Sequence, residues 1–189
     1  MNNEDFDIKI FSPVKKMQEA EPETVADNMK RQVLSGNLPK ARELGKTIAD
    51  SFPEAAAKEE LWNTAHCCEV ELDRNIKDQA IILSVFTAEF CINNYMPDPV
   101  LATTALTVFY DTLTNDSPEL YSDLLASTAF SFYYMNLDGK NADPDIIGKT
   151  FAMLCGDKNS PNLCCYGKTV FKTSLDNYKK AVHDIDFID

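Results

Sequence analysis

The sequence is poor in the residues on which most catalytic and nucleotide-binding sites depend. Its 189 residues include 6 Gly, 2 His and 1 Trp. Glycine-rich loops surround phosphates with backbone amides, and histidine is the commonest general base and metal ligand. The sequence also lacks the Gly-x-Ser-x-Gly, His-Glu-x-x-His and Gly-x-Gly-x-x-Gly patterns. These absences favour a non-enzymatic protein over an enzyme.

Positive charge is also scarce. The chain has 18 Lys and Arg residues against 30 Asp and Glu, a net charge of −12. The middle third, residues 61–120, is the most acidic part, with 2 basic and 9 acidic side chains. Such a surface repels the phosphate backbone of nucleic acids and attracts basic proteins. We therefore expect no nucleic-acid partner. Two interpretations of the acidic residues stay open: a solvated rim around buried helices, or the edge of an apolar groove that favours a basic partner helix or peptide.

Long apolar runs are missing as well. The longest stretch without a charge, residues 124–137, is shorter than the roughly 20 apolar residues that span a bilayer. The first residues, Met1 to Asp5, are polar and acidic and do not resemble a signal peptide. These features predict a cytoplasmic protein without membrane association, whose six cysteines stay reduced.

Helical periodicity dominates from about residue 22. Asp98-Pro99, Ser117-Pro118 and Asp143-Pro144 each place a capping side chain before a proline at the first helical position. The pattern predicts eight helices, at about 22–35, 38–50, 53–74, 76–95, 99–114, 118–137, 144–155 and 162–184. Because the connections are short, we expect antiparallel hairpins of consecutive helices. The prediction is one all-α domain over residues 22–189, built as a helical bundle or a short α-superhelix.

Both ends of the chain alternate apolar and charged residues with a period of two. Phe6, Ile8 and Ile10 follow this pattern near the start, and residues 184–189 repeat it at the end. Two interpretations stay open, a frayed tail or a strand that docks on a partner. We treat residues 1–21 as an N-terminal arm, flexible or strand-like.

One helix pair resembles part of a known repeat. Gly36-Asn37, Ala41 and Pro53 have the spacing of the inter-helix turn, second-helix alanine and closing proline of a tetratricopeptide repeat. The first helix departs from that pattern, and no second copy follows one period later. The resemblance covers half of one repeat and implies a helix–turn–helix hairpin near the N-terminus.

The tripeptide Gly-Lys-Thr occurs three times, beginning at Gly45, Gly148 and Gly167. A phosphate-binding loop needs a further glycine five residues earlier, and none of the copies has one. All three fall within predicted helices, where the backbone amides are already bonded. We therefore predict that each glycine lets a neighbouring helix approach closely while the lysine stays solvated.

A metal site is the main alternative chemistry. His66 and Glu69 lie three residues apart on one side of a predicted helix, and Glu89 could complete a site from another helix. The competing interpretation is an exposed histidine beside an acidic neighbour, with Glu89 on a thin solvated face that also holds Asp78 and Asn93. We expect no metal and no cofactor, and keep these three residues as the candidates.

The cysteines offer a second alternative. A polar loop separates Cys155 from Cys164 and Cys165. Two interpretations stay open: a redox pair of Cys155 with Cys164 or Cys165, or cysteines that are buried as small apolar side chains.

An aromatic segment is the candidate interaction surface. Phe130, Phe132, Tyr133 and Tyr134 lie in a nearly all-apolar helix, which indicates burial on several sides or an oligomer contact. The sequence thus predicts a non-enzymatic protein-interaction or regulatory module. The alternative is a small-molecule or metal-binding helical protein, or an enzyme, with its site between the central helices. A structural homo-oligomer is the third possibility.

Overall fold

A computed structural model describes residues 22–52, 55–138 and 141–188, with the backbone alone at 22–25, 55–58 and 60. These residues form nine α-helices and, within the described ranges, no strand. The helices are α1 (Pro22–Leu34), α2 (Asn37–Asp50), α3 (Ala55–Cys67), α4 (Arg74–Tyr95), α5 (Pro99–Asp116), α6 (Pro118–Ala126), α7 (Ala129–Met135), α8 (Pro144–Leu154) and α9 (Pro161–His183). The predicted all-α fold is confirmed. The predicted arm at residues 1–21 lies outside the described residues.

The single helix predicted over 118–137 is two helices. α6 ends at Ala126, and Ser127 has an extended backbone. The hydroxyl of Ser127 accepts a hydrogen bond from the Ala129 amide at 3.1 Å. A serine side chain that competes for a backbone donor breaks a helix that apolar patterning alone would continue.

The helix predicted over 53–74 ends early, at Cys67. Glu69 has a φ of 53°, in the left-handed region that terminates helices. Asp73 then accepts a hydrogen bond from the Ile76 amide at 2.8 Å and caps the start of α4. The chain between Cys67 and Arg74 is therefore a connection and not a helix.

The helices pack as a bundle in which partners are often distant along the chain. The most extensive contacts join α2 to α5, α4 to α9 and α8 to α9. α9 also contacts α2 and α3. The expectation that consecutive helices pair holds for α8 and α9, whereas α2 and α4 make their most extensive contacts with α5 and α9, which are not their neighbours in the chain. The turn at Gly36, with φ of 74°, does form the predicted hairpin between α1 and α2.

α4 is the centre of the core. Every residue from Ile82 to Ile92 is buried, as its apolar character on all sides predicts. Phe86 contacts the ring of Tyr133 at 5.0 Å between centroids and the ring of Tyr134 at 5.2 Å. α4 is therefore fixed by aromatic packing on the side of α7 and by α9 on another side.

The three Gly-Lys-Thr glycines lie where helices touch most closely. A Cβ atom at position 45 would overlap the Ala105 carbonyl of α5, and one at position 148 would overlap the Cys164 carbonyl of α9. A Cβ at position 167 would lie 2.5 Å from the Cβ of Phe151. The prediction that these glycines permit close helix packing is confirmed, and it explains the contacts α2–α5 and α8–α9.

We predict that Gly45→Ala destabilises the protein by about 2 kcal/mol or more, because the added methyl overlaps backbone that cannot rotate away. Urea unfolding followed by circular dichroism measures this. Gly36→Asn is the control, since no atom lies within 4 Å of a Cβ there and asparagine tolerates positive φ. Equal unfolding midpoints for the two variants would contradict the packing account.

The C-terminal segment docks on its own chain. The buried Asn37 side chain donates to the Ile188 carbonyl at 2.7 Å and accepts from the Ile188 amide at 2.9 Å. Lys40 donates to the Asp186 carbonyl, and Phe187 packs against the core. The structure shows neither interpretation of this alternating tail, because the described segment is not a strand and docks on its own chain, where the side chains of Asn37 and Lys40 of α2 bind its backbone.

We predict that a chain ending at Asp184 and the variant Asn37→Ala each lose roughly 1–3 kcal/mol of stability, because each breaks the same pair of hydrogen bonds. Combining both changes should cost less than their sum, since the interaction is already lost. Thermal unfolding of the four proteins measures the coupling. Full additivity would show that the tail and Asn37 act independently.

Candidate functional site

A cleft of about 400 Å³ lies between α2, α3, α4 and α9. Its described lining residues are Thr47, Ile48, Ser51 and Phe52 from α2 and its end, Leu61 and Thr64 from α3, Ile81 and Ser84 from α4, and Val170, Thr173, Ser174, Asn177, Tyr178 and Ala181 from α9. This set contains apolar, hydroxyl and amide side chains, and no Asp, Glu, Lys, Arg or His. The cleft is therefore suited to an uncharged group, since a charge placed there would find no counter-charge among these residues.

A cluster of hydroxyls forms the polar part of this cleft. The Ser84 hydroxyl lies 3.2 Å from that of Ser174 and 2.9 Å from that of Tyr178. Ser174 and Tyr178 are four residues apart on α9, so both face α4, and Ser84 belongs to the buried run of α4. Hydroxyls both donate and accept, so the cluster can bind a carbonyl, a hydroxyl or an amide.

The apolar wall is held by aromatic contacts. The ring of Phe52 lies 5.9 Å from that of Phe109 and 6.0 Å from that of Tyr178. Phe52 is buried and follows α2, which is drawn close to α5 by Gly45. The close packing of α2 on α5 therefore positions one side of the cleft.

Glu89 forms a separate buried polar centre. It is 5% exposed, and its two carboxylate oxygens accept hydrogen bonds from the hydroxyls of Tyr110 and Tyr134. The interpretation that Glu89 shares a solvated face with Asp78 and Asn93 is wrong for Glu89, because α5 and α7 cover its side chain. Asp78 and Asn93 are exposed. The centre links α4, α5 and α7 through one carboxylate.

Burial governs the ionisation of this centre. Loss of solvent raises the pKa of the Glu89 carboxyl above its ordinary 4.5, while the two phenol hydrogen bonds lower it by less. Burial and the neighbouring carboxylate raise the pKa of both Tyr110 and Tyr134. The phenols thus stay protonated, and they can satisfy the Glu89 oxygens as donors in either ionisation state of the acid.

The candidate metal ligands are not brought together. His66 and Glu69 are exposed at the end of α3, whereas Glu89 is buried in α4 with both oxygens occupied by phenols. Within the described ranges, no three His, Cys, Asp or Glu side chains are grouped so that they could hold a metal ion. The described residues therefore do not form the metal site for which His66, Glu69 and Glu89 were the candidates.

The aromatic segment is divided between interior and surface. Tyr133 is fully buried, Tyr134 binds Glu89, and Phe130 packs on Phe86 at 5.8 Å between ring centroids. Phe132 is 39% exposed. Of the four residues predicted to form a contact, Phe132 is therefore the one whose ring is available to a partner, and that contact stays a prediction.

The thiols of Cys68 and Cys165 are in contact, a pairing that no sequence pattern indicates. The sulfur atoms of Cys68 and Cys165 lie 3.3 Å apart, although the residues are 97 positions apart in the chain. Their proximity depends on the packing of α3 on α9, which single-sequence patterns do not predict. The hydroxyl cluster was missed for the same reason, because Ser84 and Ser174 become neighbours only through the contact of α4 with α9.

Comparisons with known proteins find no counterpart. No family model matches the sequence, and searches of curated proteins and of solved structures return no significant match. Among the described helices, none combines the length and apolar character needed to cross a membrane.

We predict that Glu89→Gln makes stability less dependent on pH. A carboxyl whose pKa is raised by folding contributes its full stability below 4.5, and that contribution is lost as the pH rises toward the folded-state pKa. Between pH 4.5 and the folded-state pKa of Glu89, wild type should therefore lose stability relative to Glu89→Gln by up to about 1.4 kcal/mol per pH unit. Urea unfolding at several pH values measures the difference.

Two adjacent tyrosines provide the control for this centre. Tyr134→Phe removes a donor to Glu89 and should cost about 1–2 kcal/mol. Tyr133→Phe should cost little, since the buried Tyr133 hydroxyl has no hydrogen-bond partner among the described residues. Parallel pH profiles for wild type and Glu89→Gln, or equal losses for both tyrosine variants, would contradict this account of Glu89.

Proposed function

We propose that this protein is a non-enzymatic helical interaction module, and that the cleft between α2, α3, α4 and α9 receives uncharged, mostly apolar side chains of a partner protein. The observation that carries the proposal is the cleft itself, with about 400 Å³ of space and described lining residues that include no Asp, Glu, Lys, Arg or His. That volume is within the range of ligand-binding pockets.

The lining supports binding over catalysis. General acid–base or nucleophilic chemistry needs a group whose pKa suits proton transfer near the operating pH. Threonine, serine and asparagine side chains supply hydrogen bonds but not such a group, and Tyr178 is the one ionisable side chain among the described lining residues. The arrangement fits recognition of a neutral group by shape and hydrogen bonding.

The charge of the protein supports a macromolecular partner. The described lining of the cleft includes no Asp, Glu, Lys, Arg or His, whereas the sequence as a whole carries a net charge of −12. A partner that inserts apolar side chains into the cleft and presents lysine or arginine at its edges would gain both apolar burial and long-range attraction. A basic amphipathic segment is the partner chemistry that matches both properties.

The hydroxyl cluster favours a second candidate function. Ser84, Ser174 and Tyr178 concentrate three hydroxyls at one place in an otherwise largely apolar cleft. Such convergence of a few polar groups is typical of small-molecule sites, where they orient one polar end of an apolar ligand. A neutral small molecule with a carbonyl or hydroxyl end is the ligand class that fits.

We predict that Thr173→Trp, which fills the cleft from α9, abolishes partner binding while the fold is kept. Thr107→Trp is the matched control, because Thr107 is exposed on α5 and outside the lining. Wild type and both variants would be crosslinked in cell extract, and the captured proteins and retained small molecules quantified by mass spectrometry.

The proposal requires that wild type and Thr107→Trp capture the same basic protein, and that Thr173→Trp captures at least tenfold less of it. A small molecule lost in the same pattern would instead support the second candidate. Equal capture by all three proteins would show that the cleft is not the binding site.

A further inference from the structure

The contact between Cys68 and Cys165 joins the end of α3 to α9, the longest of the described helices. Cys68 directly follows α3 and is buried, whereas Cys165 lies on α9 and is exposed. The 3.3 Å between their sulfur atoms exceeds a disulfide bond of about 2.05 Å by little more than 1 Å. Solvent therefore reaches one thiol, and that thiol touches the other.

We propose that Cys68 and Cys165 form a reversible disulfide that fastens the end of α3 to α9 when the protein meets a peroxide. This redox pair differs from the pairing of Cys155 with Cys164 or Cys165 considered from the sequence, because the structure places Cys165 against Cys68.

The chemistry needs one oxidant and no other component. The exposed Cys165 thiolate attacks hydrogen peroxide, which breaks the O–O bond, leaves a sulfenic acid on Cys165 and releases hydroxide, which takes a proton to become water. The sulfur of Cys68 then attacks the Cys165 sulfur. The S–S bond forms as the S–O bond breaks, and the departing hydroxide takes the Cys68 proton and leaves as a second water. Two thiols lose two electrons, and the peroxide gains them.

The surroundings assign the two roles. Burial, and then the hydrogen bond with Cys165, raises the pKa of the Cys68 thiol to about 11, so that Cys68 keeps its proton near neutral pH and is the less reactive of the two toward peroxide. Cys165 is accessible to solvent, and Lys168 follows three residues later on the same helix. Cys165 is thus the residue that meets the oxidant, and Cys68 is the residue that resolves the sulfenic acid.

Fastening α3 would fix one wall of the cleft. α3 contributes Leu61 and Thr64 to the lining and makes its most extensive contacts with α9. In the reduced protein the Tyr166 hydroxyl of α9 donates a hydrogen bond to the Leu61 carbonyl of α3, and the Asn162 amide of α9 donates one to the Glu69 carbonyl in the connection that follows α3. A disulfide would add a covalent link beside them. Its effect on binding rests on the proposed function, but its formation does not.

The test is peroxide treatment of the full chain under non-reducing conditions. Wild type should lose the mass of two hydrogen atoms, and peptide mapping should locate a crosslink between Cys68 and Cys165. The midpoint of thermal unfolding should rise by roughly 10 °C, because the bond closes a long loop, and dithiothreitol should reverse both changes. Cys165→Ser should show neither change. Cys164→Ser, the neighbouring thiol on α9, should behave as wild type.

Two outcomes would overturn the proposal. One is a crosslink that maps to another pair of cysteines. The other is stepwise addition of oxygen to Cys165 without a disulfide, which would show that Cys68 does not reach it. Both outcomes are independent of partner binding, so failure of the cleft proposal would leave this result interpretable.

Discussion

Close helix packing at three glycines, against backbone at Gly45 and Gly148 and against the Phe151 side chain at Gly167, is the constraint on which the rest of the structure depends. Gly148 and Gly167 bring α8 against α9, and Gly45 brings α2 against α5. α9 in turn lies against α4 and provides six of the residues that line the cleft. A side chain at any of these glycines would separate the helices and move a wall of the cleft or the helix behind it. The glycines matter here for packing, although their tripeptide resembles part of a phosphate-binding motif.

Buried polar groups give this closely packed core its specificity. Glu89 joins three helices through two phenols, and Asn37 holds the C-terminal segment through its backbone. A buried polar group is costly unless every hydrogen bond is made, so each of these centres favours one arrangement of its helices over alternatives. The cleft differs from both centres because its hydroxyls lie beside open space that a ligand can enter.

The sequence predicted what local patterns determine. The Asp-Pro and Ser-Pro pairs correctly predicted the starts of α5, α6 and α8 at Pro99, Pro118 and Pro144. The side chains of Asp98 and Asp143 make the predicted capping hydrogen bonds, whereas that of Ser117 makes none. The apolar character of α4 on all sides correctly indicated burial. The repeated glycines correctly indicated close helix contacts. Each of these predictions depends on residues within a few positions of one another.

The sequence could not predict what depends on pairing between distant helices. The break at Ser127 is a different case, because it depends on a local hydrogen bond from the Ala129 amide to the Ser127 hydroxyl, which apolar periodicity does not reveal. Glu89 was assigned to a solvated face because the covering helices α5 and α7 were not known to meet there. The cleft combines residues from 47 to 181, so no segment of the chain contains its pattern.

Nuclear magnetic resonance locates a binding surface residue by residue and so tests whether the proposed cleft accepts neutral apolar groups. Isotope-labelled protein would be titrated with small uncharged amides and alcohols that carry an aromatic or aliphatic group. We expect saturable shifts confined to amides of residues 47–52, 61–64, 81–84 and 170–181, which contain the described lining. Saturable shifts confined to α7 around Phe132, with the cleft residues unchanged, would contradict this proposal and make the exposed aromatic surface the binding site.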